Sequence, residues 1–386
     1  MASAPIRDRN TSLDILRFGA ALLVLFEHAR AAIFIPYEAV EQHRLLLAPF
    51  YALTSMGHEA VMIFFALSGY LVGGHVIARM QEGRWSTLDY VLRRMTRLWI
   101  VLMLALLLTF LVDQLSVSMG NGSLYNGTYL GQLVPSLPTS AEPASYSLST
   151  LLGNVFFLQT IFVPVYGSNG PLWSLAYEFW YYVLFPPLAW AFLGDGSLPA
   201  RILAVAAAIA IAVWLPWDIV KLGLVWLAGV VAFLAQKRLT RAERTLSGKL
   251  GWIGFVVIGG VTLASVVTAS IDALLLGLVV AALLPLIGMQ TWVSSNLRKS
   301  AELGAEMSYS LYLFHFPIVV AITGSVTLPT RLPPSGSGFA LFLCISIAAL
   351  LISTLLWGIF ESRTQSVYRA LRRAIFRPGK TGASQS

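Results

Sequence analysis

Along most of this chain the apolar residues neither alternate nor recur at spaced intervals; they run on without a break. Membrane-length apolar segments lie at 13–35, 57–78, 97–115, 172–193, 201–217, 221–236, 250–269, 272–291, 304–326 and 339–361. A hydrocarbon core of about 30 Å takes about 20 apolar residues of α-helix. The pattern therefore predicts an all-α fold, a polytopic transmembrane bundle of about ten helices. Nothing in it predicts a strand. Only Pro216 and Trp217 separate the fifth segment from the sixth. A shorter apolar stretch, 148–162, predicts an interfacial or re-entrant helix. Ala29-Arg30-Ala31 resembles a leader cleavage site, but the run at 13–35 is too long and too charged for a leader, so the sequence predicts a retained first helix.

Composition agrees. The 386 residues are 57% hydrophobic and 11% charged, with mean hydropathy +0.74, against roughly 25% charged in a soluble domain. The formal charge of +8 would by itself suggest a nucleic-acid partner, but its distribution points elsewhere. With the N-terminus inside, most of the 26 Lys and Arg fall on the cytoplasmic side, while 116–171 contains none. This asymmetry sets orientation. Both termini are expected in the cytoplasm, the bilayer is the partner, and no nucleic acid is expected. Residues 1–362 read as one transmembrane domain, and 363–386 as a basic, disordered cytoplasmic tail. Cys344 is the single cysteine, which excludes disulfides and cysteine-cluster metal sites. No Walker-type glycine loop is present, which argues against an ATP-driven pump.

The candidate chemistry begins where charge interrupts the apolar runs. "LDILRFGAALLVLFEH", 13–28, holds Asp14, Arg17, Glu27 and His28. Eleven residues make about three helical turns, so Arg17 and His28 share a face, ~16 Å apart. Snorkelling accounts for Arg17 alone, not for a histidine at depth; a neutral imidazole is the usual general base near neutral pH. "GPLWSLAYEFWYYVLFP", 170–186, places Glu178 at a similar depth. An aromatic belt explains its Trp and Tyr residues but not the carboxylate, which needs a partner. Ser68-Gly69, in the second segment, has the small side chains of a close helix contact. "LGAEMSYSLYLFHFPI", 303–318, carries Ser308, Tyr309, Tyr312 and His315 on a helix expected to break at Pro317. Arg93, Arg94 and Arg97 fit the positive-inside rule, and their guanidinium forks would also grip phosphate. A proton-coupled secondary transporter could use Glu178, His28 and His315 as a relay, although no internal repeat supports it.

Taken together, these segments resemble the acyltransferase 3 family of membrane acyltransferases. The likeness rests on Arg17 and His28, Phe64-Phe65…Ser68-Gly69, Arg93-Arg94-x-x-Arg97, Trp173-Ser174…Glu178 and Ser308-Tyr309…His315, with Glu361 as a closing acid. The resemblance implies transfer of an acyl group, commonly acetyl, from cytoplasmic acyl-CoA to a hydroxyl of an extracytoplasmic or lipid-linked carbohydrate or similar acceptor. It implies location in a bacterial inner membrane, with no bound cofactor or metal. By motif, His28 would be the base, with Glu178 as a second catalytic group facing the acceptor. Arg17, Arg93, Arg94, Arg97 and Ser68 would bind acyl-CoA, and Trp173, Ser174, Tyr309 and His315 would line the acceptor side. Met62 stands where many members carry an acid, and Glu27 directly precedes His28. The acidic partner of His28 is therefore open among Glu27, Glu59 and Glu178.

Overall fold

A computed structural model describes residues 10–125, 143–239, 241–268, 270–290, 294–327 and 331–376. The centre of the 116–171 segment and the last ten residues of the expected tail lie outside these. Helix α1 (Thr11–Ile33) starts at Asn10, whose Oδ1 accepts the Leu13 N–H at 3.2 Å and so satisfies one of the orphan donors of the first turn. A short α2 (Arg44–Leu53) leads into α3 (Gly57–Ser68), which continues through a π-helical turn (Gly69–Gly73) into α4 (Gly74–Gln81). Then come α5 (Thr87–Ser116), α6 (Leu148–Val155), α7 (Leu172–Leu193), α8 (Leu198–Trp214) and α9 (Trp217–Arg238). The chain closes with α10 (Arg241–Thr268), α11 (Ala273–Gly288), α12 (Ser295–Val326), α13 (Gly336–Ile359) and α14 (Thr364–Ile375). The described residues are all-α, with isolated β-bridges and no strand. Among them, six helical stretches are long and apolar enough to cross a bilayer, and two further apolar helices are shorter.

Every predicted segment falls on a helix, with informative differences at the edges. The third begins at Thr87, ahead of the expected residue 97, so Arg93, Arg94 and Arg97 project from helix. The two segments around Pro216 are separate helices, α8 and α9. The stretch at 148–162 is helical only to Val155. The expected disordered tail meets a helix at its start, since α14 packs on α5.

The expected break at Pro317 also needs correction, because α12 runs through it. Proline has no N–H and frees the carbonyl four residues back, here that of Leu313. The side-chain amide of Asn169 fills that carbonyl at 2.9 Å. The polar loop before α7 thus repairs the ladder of α12. Asp113, near the end of α5, holds the same loop: it accepts from the Ser168 N–H and Oγ, both at 2.8 Å, and from Tyr146 Oη at 3.0 Å.

The core lies where α1, α3 and α12 meet, with α9 and α11 against α3. The apolar window of α12 is 78% buried, whereas that of the α13–α14 stretch is 28% buried, so α12 is central and α13 peripheral. Two glycines set the closest approach. A Cβ on Gly69 would collide with the Trp226 carbonyl, and one on Gly229 with the Ala66 carbonyl. The π turn therefore packs backbone to backbone on α9, as small residues permit.

Candidate active site

A cavity of about 370 Å³ lies among these central helices. Its wall includes Arg17 of α1, Ser68 and the π turn, Arg93, Arg94 and Arg97 of α5, Ser174 and Glu178 of α7, and Tyr309 of α12. These eight, drawn from five parts of the chain, are among the eleven residues given a catalytic, acyl-CoA-binding or acceptor-side role from the sequence, and they share one space. Along the continuous α3–α4 helix the lining runs from Val61 to His75, which spans about 21 Å at 1.5 Å per residue. The cavity is a slot running lengthwise through much of the bundle.

One end of the slot is cationic and organised by Asp89. This carboxylate accepts from Arg93 Nε at 3.0 Å, from Arg372 Nε at 2.9 Å and from Tyr368 Oη, with Arg79 Nη2 at 3.8 Å. Arg93 also lies over the Tyr368 ring at 4.4 Å. Arg93 is thereby committed to protein partners. Arg94 is not: its guanidinium sits over the rings of Tyr182 (5.4 Å) and Tyr90 (5.9 Å), and its buried Nε has no hydrogen-bond partner. Among the described residues, Arg17 and Arg97 make no direct side-chain hydrogen bond either. A buried donor left unpaired costs about 1–3 kcal/mol, so the Arg94 Nε calls for a partner. Arg17 and Arg97 line the same slot, with the Glu361 carboxylate within electrostatic reach of both.

Midway along the slot a directed chain of hydrogen bonds ends on Glu178. The Trp226 indole N–H can only donate, and it donates to Ser68 Oγ at 3.1 Å. The Ser68 and Tyr182 hydroxyls are 3.0 Å apart, and Tyr182 in turn donates to the Glu178 carboxylate. The order that satisfies every group is Trp226 to Ser68 to Tyr182 to Glu178. Tyr182 therefore has a specific role beyond the aromatic belt.

His28 and His315 do not line this cavity. They sit one ring behind its wall: His315 packs against Tyr312, a wall residue, with centroids 6.2 Å apart. The two imidazoles stack at 5.1 Å, and His28 Nδ1 lies 2.9 Å from His315 Nε2. Their tautomers follow from one contact. His315 Nδ1 is 2.8 Å from the Leu311 carbonyl, which can only accept, so this nitrogen carries the proton. In a neutral ring Nε2 is then the acceptor, and His28 Nδ1–H donates to it. The lone pair of His28 is left on Nε2, the arrangement a base requires. The open question of its partner closes on an imidazole. Glu27 accepts the Gly57 N–H, Glu59 faces Ser265 Oγ at 3.4 Å, and Glu178 is held by Tyr182.

Trp173 also stays out of the slot, stacked on His58 at 6.1 Å and edge-on to Tyr177 at 5.0 Å. Glu361, the closing acid, is buried and accepts from the Ser310 N–H (3.0 Å) and Oγ (2.6 Å), which ties the end of α13 to α12. Sequence reasoning missed Asp89, Trp226 and Asn169. Asp89 left a signal, an acid four residues before Arg93, the spacing of a helical ion pair. Trp226 and Asn169 left none, because their partners are remote in sequence.

An arginine-lined slot inside a bundle of apolar helices, six stretches of which are long and apolar enough to cross a bilayer among the described residues, marks an integral, multi-pass membrane protein. The family model described as an acyltransferase domain, acyltransferase 3, matches residues 10–358, nearly the whole chain. The chain belongs to that family, and it is an enzyme that transfers acyl groups. This displaces the transporter reading. No curated protein and no solved structure matches it.

Proposed function

We propose that this enzyme takes an acyl group, acetyl in the simplest case, from acyl-CoA on the cytoplasmic side of a bacterial inner membrane. The acceptor is a hydroxyl of an extracytoplasmic or lipid-linked carbohydrate. The observation that carries this reading is the slot itself, which joins a cationic end to a hydroxyl-rich middle along about 21 Å of α3–α4. Arg94, with its unpaired Nε, and the slot-lining Arg97 and Arg17 supply the cationic donors that CoA phosphates need, while Arg93 shapes that end through Asp89. The acyl thioester then extends toward Ser68 and Glu178. His28 lies one ring behind the wall, so the Tyr312 side of that wall must yield to admit the acceptor. His28 Nε2 then takes the proton of the acceptor hydroxyl as its oxygen attacks the thioester carbonyl. The carbon–sulfur bond breaks, the thiolate leaves as CoA, and the proton on His28 returns to that sulfur. The His315 imidazole holds His28 in the competent tautomer.

The test is donor kinetics of the purified protein. Phosphate contacts bind ground state and transition state alike, so their loss raises KM for acetyl-CoA and spares kcat. One charge-assisted hydrogen bond is worth about 1.5–3 kcal/mol. Arg94→Ala and Arg97→Ala should therefore each raise KM roughly 10- to 150-fold. Unchanged KM in both variants would reduce these arginines to a topology signal.

A further inference from the structure

The helix α14 is amphipathic in a way the catalytic reading does not use. Val367, Leu371 and Ile375 recur every four residues along one stripe and are exposed at 40%, 40% and 48%. Arg369 and Arg373 lie on the opposite side of the helix, both exposed. A third stripe faces the protein, where Tyr368 and Arg372 bind Asp89, and where Thr364, Gln365 and Tyr368 form part of the slot's wall. The chain ahead of it, α13, is apolar and largely uncovered, so α14 begins where a membrane helix ends. An apolar stripe opposed by arginines, at the foot of such a helix, suits the bilayer interface. The charge complement of these arginines is an anionic headgroup layer.

We propose that α14 docks on an anionic lipid surface, and that docking sets the cationic end of the slot. The coupling runs through Asp89, which holds Arg372 and Tyr368 of α14 and Arg93 of α5 at once. When α14 lies on the bilayer with Tyr368 seated, the wall of the slot is complete and Arg93 is fixed. When it lifts, Thr364, Gln365 and Tyr368 leave the wall. The lipid contact stands on the helix alone; its effect on the donor rests on the acyl-CoA reading above.

The full chain, in nanodiscs of phosphatidylcholine alone or mixed with phosphatidylglycerol, is examined by amide hydrogen exchange over 364–376 and by KM for acetyl-CoA. The variant is Arg369→Gln with Arg373→Gln, neither of which lines the slot or binds Asp89. A basic residue near an anionic surface is worth about fivefold in binding. Protection of α14 in wild type should be higher in the anionic discs, and the double variant should lose up to roughly 30-fold of it. In the same anionic discs the variant should show a raised KM and an unchanged kcat. Equal wild-type protection in the two lipids would overturn the proposal, as would protection that appears only when two copies share a disc. Lipid-dependent protection with unchanged variant KM would refute the coupling to the slot. Lipid-dependent protection without any turnover of acetyl-CoA would instead remove the donor assignment and leave the lipid contact standing.

Discussion

His28 and His315 are each conspicuous in the sequence, as ionisable groups in apolar runs, but 287 residues separate them and no local spacing predicts their contact. What decides the pair's chemistry is a backbone atom, the Leu311 carbonyl, which fixes one tautomer and through it the other. Removing the proposed base, His28→Ala, should lower turnover 10²–10⁴-fold while the protein still inserts. The partner offers a finer test. His315→Gln retains a side-chain carbonyl that can accept the His28 Nδ1–H, whereas His315→Leu retains nothing. The Gln variant should keep substantially more kcat than the Leu variant at similar KM. Equal losses in the two would mean that His315 acts by packing and not by orienting His28.

At the scale of helices, apolar run length located the elements well, because bilayer thickness dictates it directly. It could not reveal how they touch. Ser68-Gly69 signalled a close approach, yet the identity of the opposing helix, and the π turn that follows, depend on Trp226 and Gly229, some 158 residues on from Ser68. Nor could it show that the polar loop would fill the carbonyl freed at Pro317. The sequence rule that proline ends a helix is overruled there by Asn169. The contact of α3 with α9 gives a stability prediction. Gly229→Ala sets a methyl against the Ala66 carbonyl, where backbone must move because no side chain can yield. Overpacking of this kind costs about 1–3 kcal/mol, read as a lowered melting temperature in detergent. Gly259→Ala, inside α10 with nothing within 4 Å of its new Cβ, should not lower the melting temperature and should raise it slightly, since alanine is favoured over glycine in a helix by about 0.5–1 kcal/mol.

For the whole molecule, the contacts thread the chain without reference to charge. The start of α1, the start of α5 and α14 all meet at the Asp89 end of the slot, and Arg79, at the foot of α4, pairs with Asp89. Toward the opposite end of the bundle Glu27 meets Gly57, and Asp113 meets Ser168 just before α7. The first end carries Arg79, Arg84, Arg93, Arg94, Arg97, Arg363, Arg369, Arg372 and Arg373. By the positive-inside rule the excess of arginine predicts that this end faces the cytoplasm. A topology reporter fused after Ser140 should report outside, and one fused after Thr381 should report inside. On the proposed reading the donor enters at this arginine-rich end. Acyl-CoA carries several phosphate charges and does not cross a bilayer unaided, so labelled acetyl-CoA should be consumed by inverted membrane vesicles. Right-side-out vesicles should consume it only after they are permeabilised. Consumption by intact right-side-out vesicles, with the reporters as expected, would move the donor to the Glu27–Asp113 end and separate the arginine-lined slot from the transfer reaction.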